Sequence, residues 1–148
     1  DVTVVTQDAV LATFDRILAA LTLALAGIAT ISLAVAGILI MNVMLIAVTQ
    51  RTTEIGLLKA IGASPGQIRL LFFAEAAMLS AVGAVVGILL GHLGSFVIRQ
   101  AYPVLPAFAP PWAPLAALAT AVGTAIVFSL LPARRAARLE PALALSRR

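Results

Sequence analysis

Long apolar runs alternate with short polar interruptions along this chain. Residues 17–50 carry no charge, residues 70–98 carry only Glu75, and residues 113–131 carry none. Each run approaches or exceeds the roughly 20 apolar residues that carry a helix across a hydrocarbon core of roughly 30 Å. The pattern therefore predicts an all-α integral membrane protein with three transmembrane helices. The first run is overlong, at ~51 Å of helix for ~1.5 Å per residue. Either that helix tilts steeply, or its first third rises out of the bilayer as a stalk, and the stalk is the expectation.

The polar interruption RTTEIGLLKAIGASPGQIR, residues 51–69, has a period of its own. Ile55, Leu58 and Ile61 recur every third residue and Leu57 lies four before Ile61, beside Thr52, Glu54 and Lys59. That is the stripe of a short amphipathic helix. Gly62 stands where a left-handed residue commonly ends a helix. Ser64-Pro65-Gly66-Gln67 then reads as a capping box, with serine at the N-cap, proline at the first helical position and glutamine reaching back. The next helix starts there and runs into the second span, making a sharp corner at Gly62 and Ser64.

Between the second and third spans lies AYPVLPAFAPPWAP, whose five prolines exclude a helix. Its Tyr102 and Trp112 suit a membrane surface. Pro132 is expected to end the third span, and Pro141 to start or interrupt a short helix carrying Leu143 and Leu145. At the other end, DVTVVTQDAV has no initiator methionine and no signal-peptide pattern, and the chain is expected to be cut from something longer. The alternation of Val2 and Val4 predicts the end of a strand of an upstream domain. The expected division is 1–16 as the end of that domain and the start of the stalk, 17–50 as stalk and first span, and 51–64 as amphipathic helix and turn. Residues 65–99 form the second span, 100–112 the connector, 113–131 the third span and 132–148 a basic tail.

Composition agrees, with 62% hydrophobic and 11% charged residues and a mean hydropathy of +1.12, well outside the usual range for a soluble domain. The net charge of +4 does not point to nucleic acid, because the basic residues gather in 51–69 and after Pro132 with no aromatics between them. It gives orientation instead. Lys and Arg cluster at the 51–69 loop and the tail, which places both in the cytoplasm and puts the N-terminal flank and the proline-rich loop outside. Without cysteine there is no disulfide, thiolate metal site or cysteine nucleophile.

Candidate chemistry is sparse. No GxxxxGK[ST] occurs in these residues, so nucleotide chemistry would have to come from a partner. His92 has no acidic residue, cysteine or second histidine at ligand spacing, and a packing or interfacial role is expected with no metal. Gly83, Gly87 and Gly91 make two GxxxG steps that allow close backbone approach, either inside the subunit or across a dimer. Asn42 and Glu75 lie at compatible depths, ~13 and ~9 Å below the cytoplasmic surface at ~1.5 Å per residue. A hydrogen bond of Glu75 within the bundle, with Asn42 as partner, is expected because a carboxylate facing lipid is costly. Arg134, Arg135 and Arg138 suit anionic headgroups.

GILIMNVMLIAVTQRTTEIGLLKAIGAS, residues 37–64, resembles the ABC permease family of MacB and FtsX type, and most closely its MacB branch. EAAMLSAVGAVVGILLG, residues 75–91, and LPARRAARLEPALAL, residues 131–145, are similar to later segments of the same family. The resemblance implies the C-terminal, three-helix part of a permease with no enzymatic activity of its own. The permease would work as a homodimer with ABC-type ATPases, which hold the ATP and magnesium, in the bacterial inner membrane. It implies that residues 51–64 are the coupling helix docking on the ATPase, through Glu54, Ile55, Leu57, Leu58 and Lys59, with Gly62 and Ser64 as the corner, and that the tail with Arg134, Arg135 and Arg138 also touches the ATPase. The resemblance further implies extrusion of a substrate, with periplasmic or extracellular partner proteins. Lipoprotein release and control of cell-wall hydrolases are alternatives inside the family, and a small membrane scaffold is one outside it.

Overall fold

The computed structural model describes residues 2–104, 106–140 and 142. Among them the chain forms four helices: α1 Val2–Gln50, α2 Thr52–Ala60, α3 Pro65–Ala101 and α4 Ala113–Arg138. Three of these, over Thr6–Gln50, Pro65–Ala101 and Ala113–Arg138, are long and apolar enough to cross a membrane. The chain is a multi-pass membrane protein. It divides into two units, Asp1–Val35 and Ala36–Arg148.

The first unit is helical throughout its described residues. Leu18, Leu21, Leu23 and Ile31 point to different sides of the helix and all are exposed, so beyond Arg16 its surface is apolar all round and suits lipid. Three of its threonines turn their hydroxyls inward along the helix. Thr13, Thr22 and Thr30 donate their hydroxyls to the carbonyls of Ala9, Leu18 and Ala26 at 2.8, 2.9 and 2.8 Å, the usual refuge for threonine where water is absent. The strand expected at Val2 and Val4 is not there, because α1 already begins at Val2. Four alternating residues are a weak signal, and a long helix extends cheaply by one hydrogen bond per added residue.

In the second unit, α3 and α4 make the broadest contact. The fully buried residues gather toward one end, where Met44 and Val48 of α1, Ile55 of α2, Ile68, Phe72 and Ala76 of α3, and Ala125, Ala133 and Ala136 of α4 share one cluster. This is the end that carries α2. Small residues make it possible: Ala125, Ser129, Ala133, Ala136 and Ala137 line one face of α4, and their size lets neighbouring helices approach closely. Higher up, Gly37 plays the same part. A Cβ there would lie only 2.5 and 2.7 Å from Cε2 and Cγ of Phe128, so the aromatic ring occupies the place of the missing side chain.

Pro132 does not end the helix as expected, since α4 runs through it to Arg138. A proline inside a helix removes one hydrogen bond and costs about 3 kcal/mol. The turn beyond it compensates by packing: Pro132, Ala133, Ala136 and Ala137 are all buried. The connector from α3 to α4 is irregular and closes its bonds locally, with the Phe108 and Ala113 amides donating to the carbonyls of Pro106 and Pro110 at 2.9 and 3.0 Å. The expectations for Pro141, Leu143 and Leu145 fall outside the described residues.

Candidate functional site

The corner after α2 is built from backbone rules. The Ala63 amide donates to the Leu58 carbonyl at 2.9 Å and the Gly62 amide to the Lys59 carbonyl at 3.1 Å, the paired bonds of a Schellman ending. That ending needs a left-handed residue, and Gly62 has φ of 104°. Immediately afterwards the Gln67 amide donates to Ser64 Oγ at 3.2 Å and the Ser64 amide donates to Gln67 Oε1 at 2.8 Å. The capping box is complete, and Pro65 opens α3. Ser64→Ala is expected to lower stability by about 1 kcal/mol, read as a small drop in the unfolding midpoint of the solubilised protein.

Three side chains fasten α2 to the rest of the unit. Ile55 is only 3% exposed and belongs to the core. Arg51, in the turn between α1 and α2, donates from Nε to Glu54 Oε2 at 2.9 Å and from Nη1 to Glu75 Oε1 and Oε2 at 3.4 and 3.3 Å. The hydrogen bond to Glu54 first, and the charge of Glu75 with it, hold the guanidinium above its ordinary pKa. Arg51 therefore links α1, α2 and α3. Lys59 donates from Nζ to the carbonyls of Ala137 and Leu139, both at 2.6 Å. These carbonyls close the C-terminal end of α4, where helix geometry leaves acceptors unpaired and the dipole favours a cation.

This arrangement changes several sequence expectations. Ile55 and Lys59 face into the unit and are engaged by the chain itself. Glu75, expected to bond within the bundle, pairs with Arg51 of the α1–α2 turn while its side chain stays 40% exposed, and Asn42 is exposed on α1. Of the stripe, Leu57, Leu58 and Ile61 remain outward at 57, 37 and 76% exposure, with Glu54 exposed beside them. A Cβ added at Gly83, Gly87 or Gly91 would meet nothing within 4 Å among the described residues. His92 is exposed and borders an open recess of about 230 Å³ with Ser95 and Pro114. At the connector, the Arg99 guanidinium lies 4.6 Å from the centre of the Phe108 ring, a cation–π contact.

Arg51 and Gly37 were not singled out in the sequence. Glu54 three residues after Arg51 is a legible helix-face pairing, whereas nothing in GILI announces that Phe128 needs a glycine opposite it. Lys59→Met keeps the aliphatic stem and removes the ammonium. It is expected to fray the last turn of α4, with faster amide exchange at residues 133–138 and a loss of about 1.5–3 kcal/mol, the worth of a charge-assisted hydrogen bond.

Comparison with known proteins agrees with this architecture. The family model for the FtsX-like permease C-terminal region matches residues 26–141. The macrolide export ATP-binding/permease protein MacB of Escherichia coli strain K12 is 41% identical over 141 residues, covering 95% of this chain and 22% of that protein. MacB of Photorhabdus laumondii is 43% identical over 120 residues, covering 81% and 18%. MacB of Rhodopirellula baltica is 44% identical over 114 residues, covering 77% and 16%. The chain thus spans about a fifth of the length of these relatives. With a family match over most of its length and three helices fit to span a membrane, the chain belongs to the FtsX-like permease family of MacB and FtsX type.

Proposed function

We propose that this chain is the membrane part of an ABC transporter permease, in which α2 receives the movement of an ABC-type ATPase and passes it to the spans. The observation that carries the proposal is the two-sidedness of α2. Its outer face offers Leu57, Leu58 and Ile61 with Glu54 beside them, an aliphatic strip suited to a groove on a partner protein. Its inner face is fastened by Ile55, Arg51 and Lys59 to the core, to Glu75 of α3 and to the end of α4. A push on α2 is therefore shared by every helix of the second unit.

On this reading ATP and magnesium belong to the ATPase, and the relatives' names, which join ATP-binding to permease, support such a partner. The transport is efflux or extrusion of a substrate from the bacterial inner membrane outward, with a second permease copy and external partner proteins completing the machine. Lipoprotein release is the alternative within the same mechanism. With no native cysteine in these residues, single cysteines at Leu57, Leu58 and Glu54 of the full-length protein provide the test. Crosslinking in membranes should capture an ABC-type ATPase or ATPase domain. If these positions react only with lipid-soluble probes, α2 lies on the membrane and the coupling role fails.

A further inference from the structure

The unbroken course of α4 through Pro132 creates a surface that a helix stopping at Pro132 would lack. Over its last turns Ala133, Ala136 and Ala137 are buried, while Arg134, Arg135 and Arg138 are exposed. Those arginines lie three to seven residues beyond Leu131, ~5–10 Å along the helix at ~1.5 Å per residue. The headgroup layer of one leaflet is ~5–8 Å thick outside a hydrocarbon core of roughly 30 Å, so the guanidiniums lie at headgroup depth, within the reach of long side chains. Arg69 joins them. It is exposed one residue before the apolar part of α3, and its neighbours Ile68 and Phe72 share the core with Ala133 and Ala136.

None of these four arginines takes part in an ion pair among the described residues, the ion pairs there being those of Arg51 with Glu54 and Glu75. The carboxylate that follows, Glu140, is exposed and pairs with none of them. Directly below the arginines on α4, Val127, Leu130 and Leu131 are exposed at 61, 39 and 46%. One surface thus carries a cationic level over an apolar one, and a phospholipid with an anionic head and acyl chains matches both levels. A water-soluble protein domain would match only the upper one.

We propose that Arg69, Arg134, Arg135 and Arg138 bind the phosphates of anionic phospholipids in the leaflet on the α2 side. The bilayer then anchors the end of α4, the same end whose carbonyls Lys59 holds. The proposal rests on the membrane placement of the helices and not on ATPase docking, so either can fail alone. Each basic residue near an anionic surface is worth about fivefold in affinity.

The test is native mass spectrometry of the full-length protein in neutral detergent, titrated with phosphatidylglycerol or with phosphatidylcholine. The wild type should retain phosphatidylglycerol in preference to phosphatidylcholine. The triple variant Arg134→Gln, Arg135→Gln, Arg138→Gln should lose about 100-fold in apparent affinity for phosphatidylglycerol, with phosphatidylcholine unchanged. The triple lysine variant keeps the charge and should keep most of the preference. Equal retention of the two lipids by the wild type overturns the proposal, as does a glutamine variant that binds phosphatidylglycerol like the wild type, or a lysine variant as weak as the glutamine one. A glutamine variant that keeps phosphatidylglycerol but loses capture of an ATP-binding partner overturns it in favour of a protein-docking patch.

Discussion

On the proposed coupling role, replacing Leu57 and Leu58 together by aspartate in the full-length protein is expected to abolish ATP-driven transport while leaving the protein folded and inserted. Both side chains are outward, at 57 and 37% exposure, and neither contributes to the core that holds α2 in place. A carboxylate at either position therefore costs little within the chain. Against an apolar groove the cost is large, because an unpaired charge would have to be buried. Central apolar anchors of an interface are worth about 2 kcal/mol or more each, roughly 30-fold in affinity per residue. Two together put docking about a thousandfold weaker. Glu54→Lys is a milder companion, since the exposed Arg51–Glu54 pair it removes is worth at most about 1 kcal/mol to the fold. The measurement is substrate-stimulated ATP hydrolysis and transport in proteoliposomes, with circular dichroism and size-exclusion profiles as controls. Full transport by the double aspartate variant would end the coupling assignment.

The largest loss of stability is expected from Phe72→Ala. Phe72 is 1% exposed and lies in the cluster that joins residues from α1, α2, α3 and α4. Truncating a buried phenylalanine costs about 3–5 kcal/mol, because its contacts are lost and the surrounding helices close the void only in part. Leu89, on the same helix at 63% exposure, is the control. In a bilayer its side chain exchanges protein for lipid of similar polarity, so Leu89→Ala should leave the unfolding midpoint nearly unchanged. If both variants unfold alike, the core is not concentrated at the α2 end and the mechanical account loses its footing.

Much of the helix plan was legible because it depends on local sequence. Charge-free runs gave the spans through the dehydration cost of charges, and Gly62 with Ser64-Pro65-Gly66-Gln67 gave the corner through backbone geometry alone. What was not legible depends on partners distant in sequence. The inward face of α2 could not be told from its outward face, since Ile55 and Leu58 have the same apolar chemistry and only packing separates 3% from 37% exposure. Lys59 looked available for a partner protein, yet its acceptors lie 78 and 80 residues away. Pro132 carried a strong local signal to stop, which tertiary burial of the following turn overrode. Glu75 was expected to bond inside the bundle to Asn42, but it pairs part-exposed with Arg51 of the turn after α1, a partner that depth measured along upright helices could not single out.

The threonines of the first unit have one more consequence. Since Thr13, Thr22 and Thr30 each spend their hydroxyl hydrogen on the preceding turn of their own helix, none of these donors grips a neighbouring molecule. Rotation or sliding of this segment against whatever surrounds it breaks none of these three bonds. What resists such motion at these positions is dispersion contact alone, which re-forms as quickly as it is lost. At these three positions the helix is a smooth shaft rather than a toothed one, able to turn without friction from hydrogen bonds that these hydroxyls would otherwise make and break.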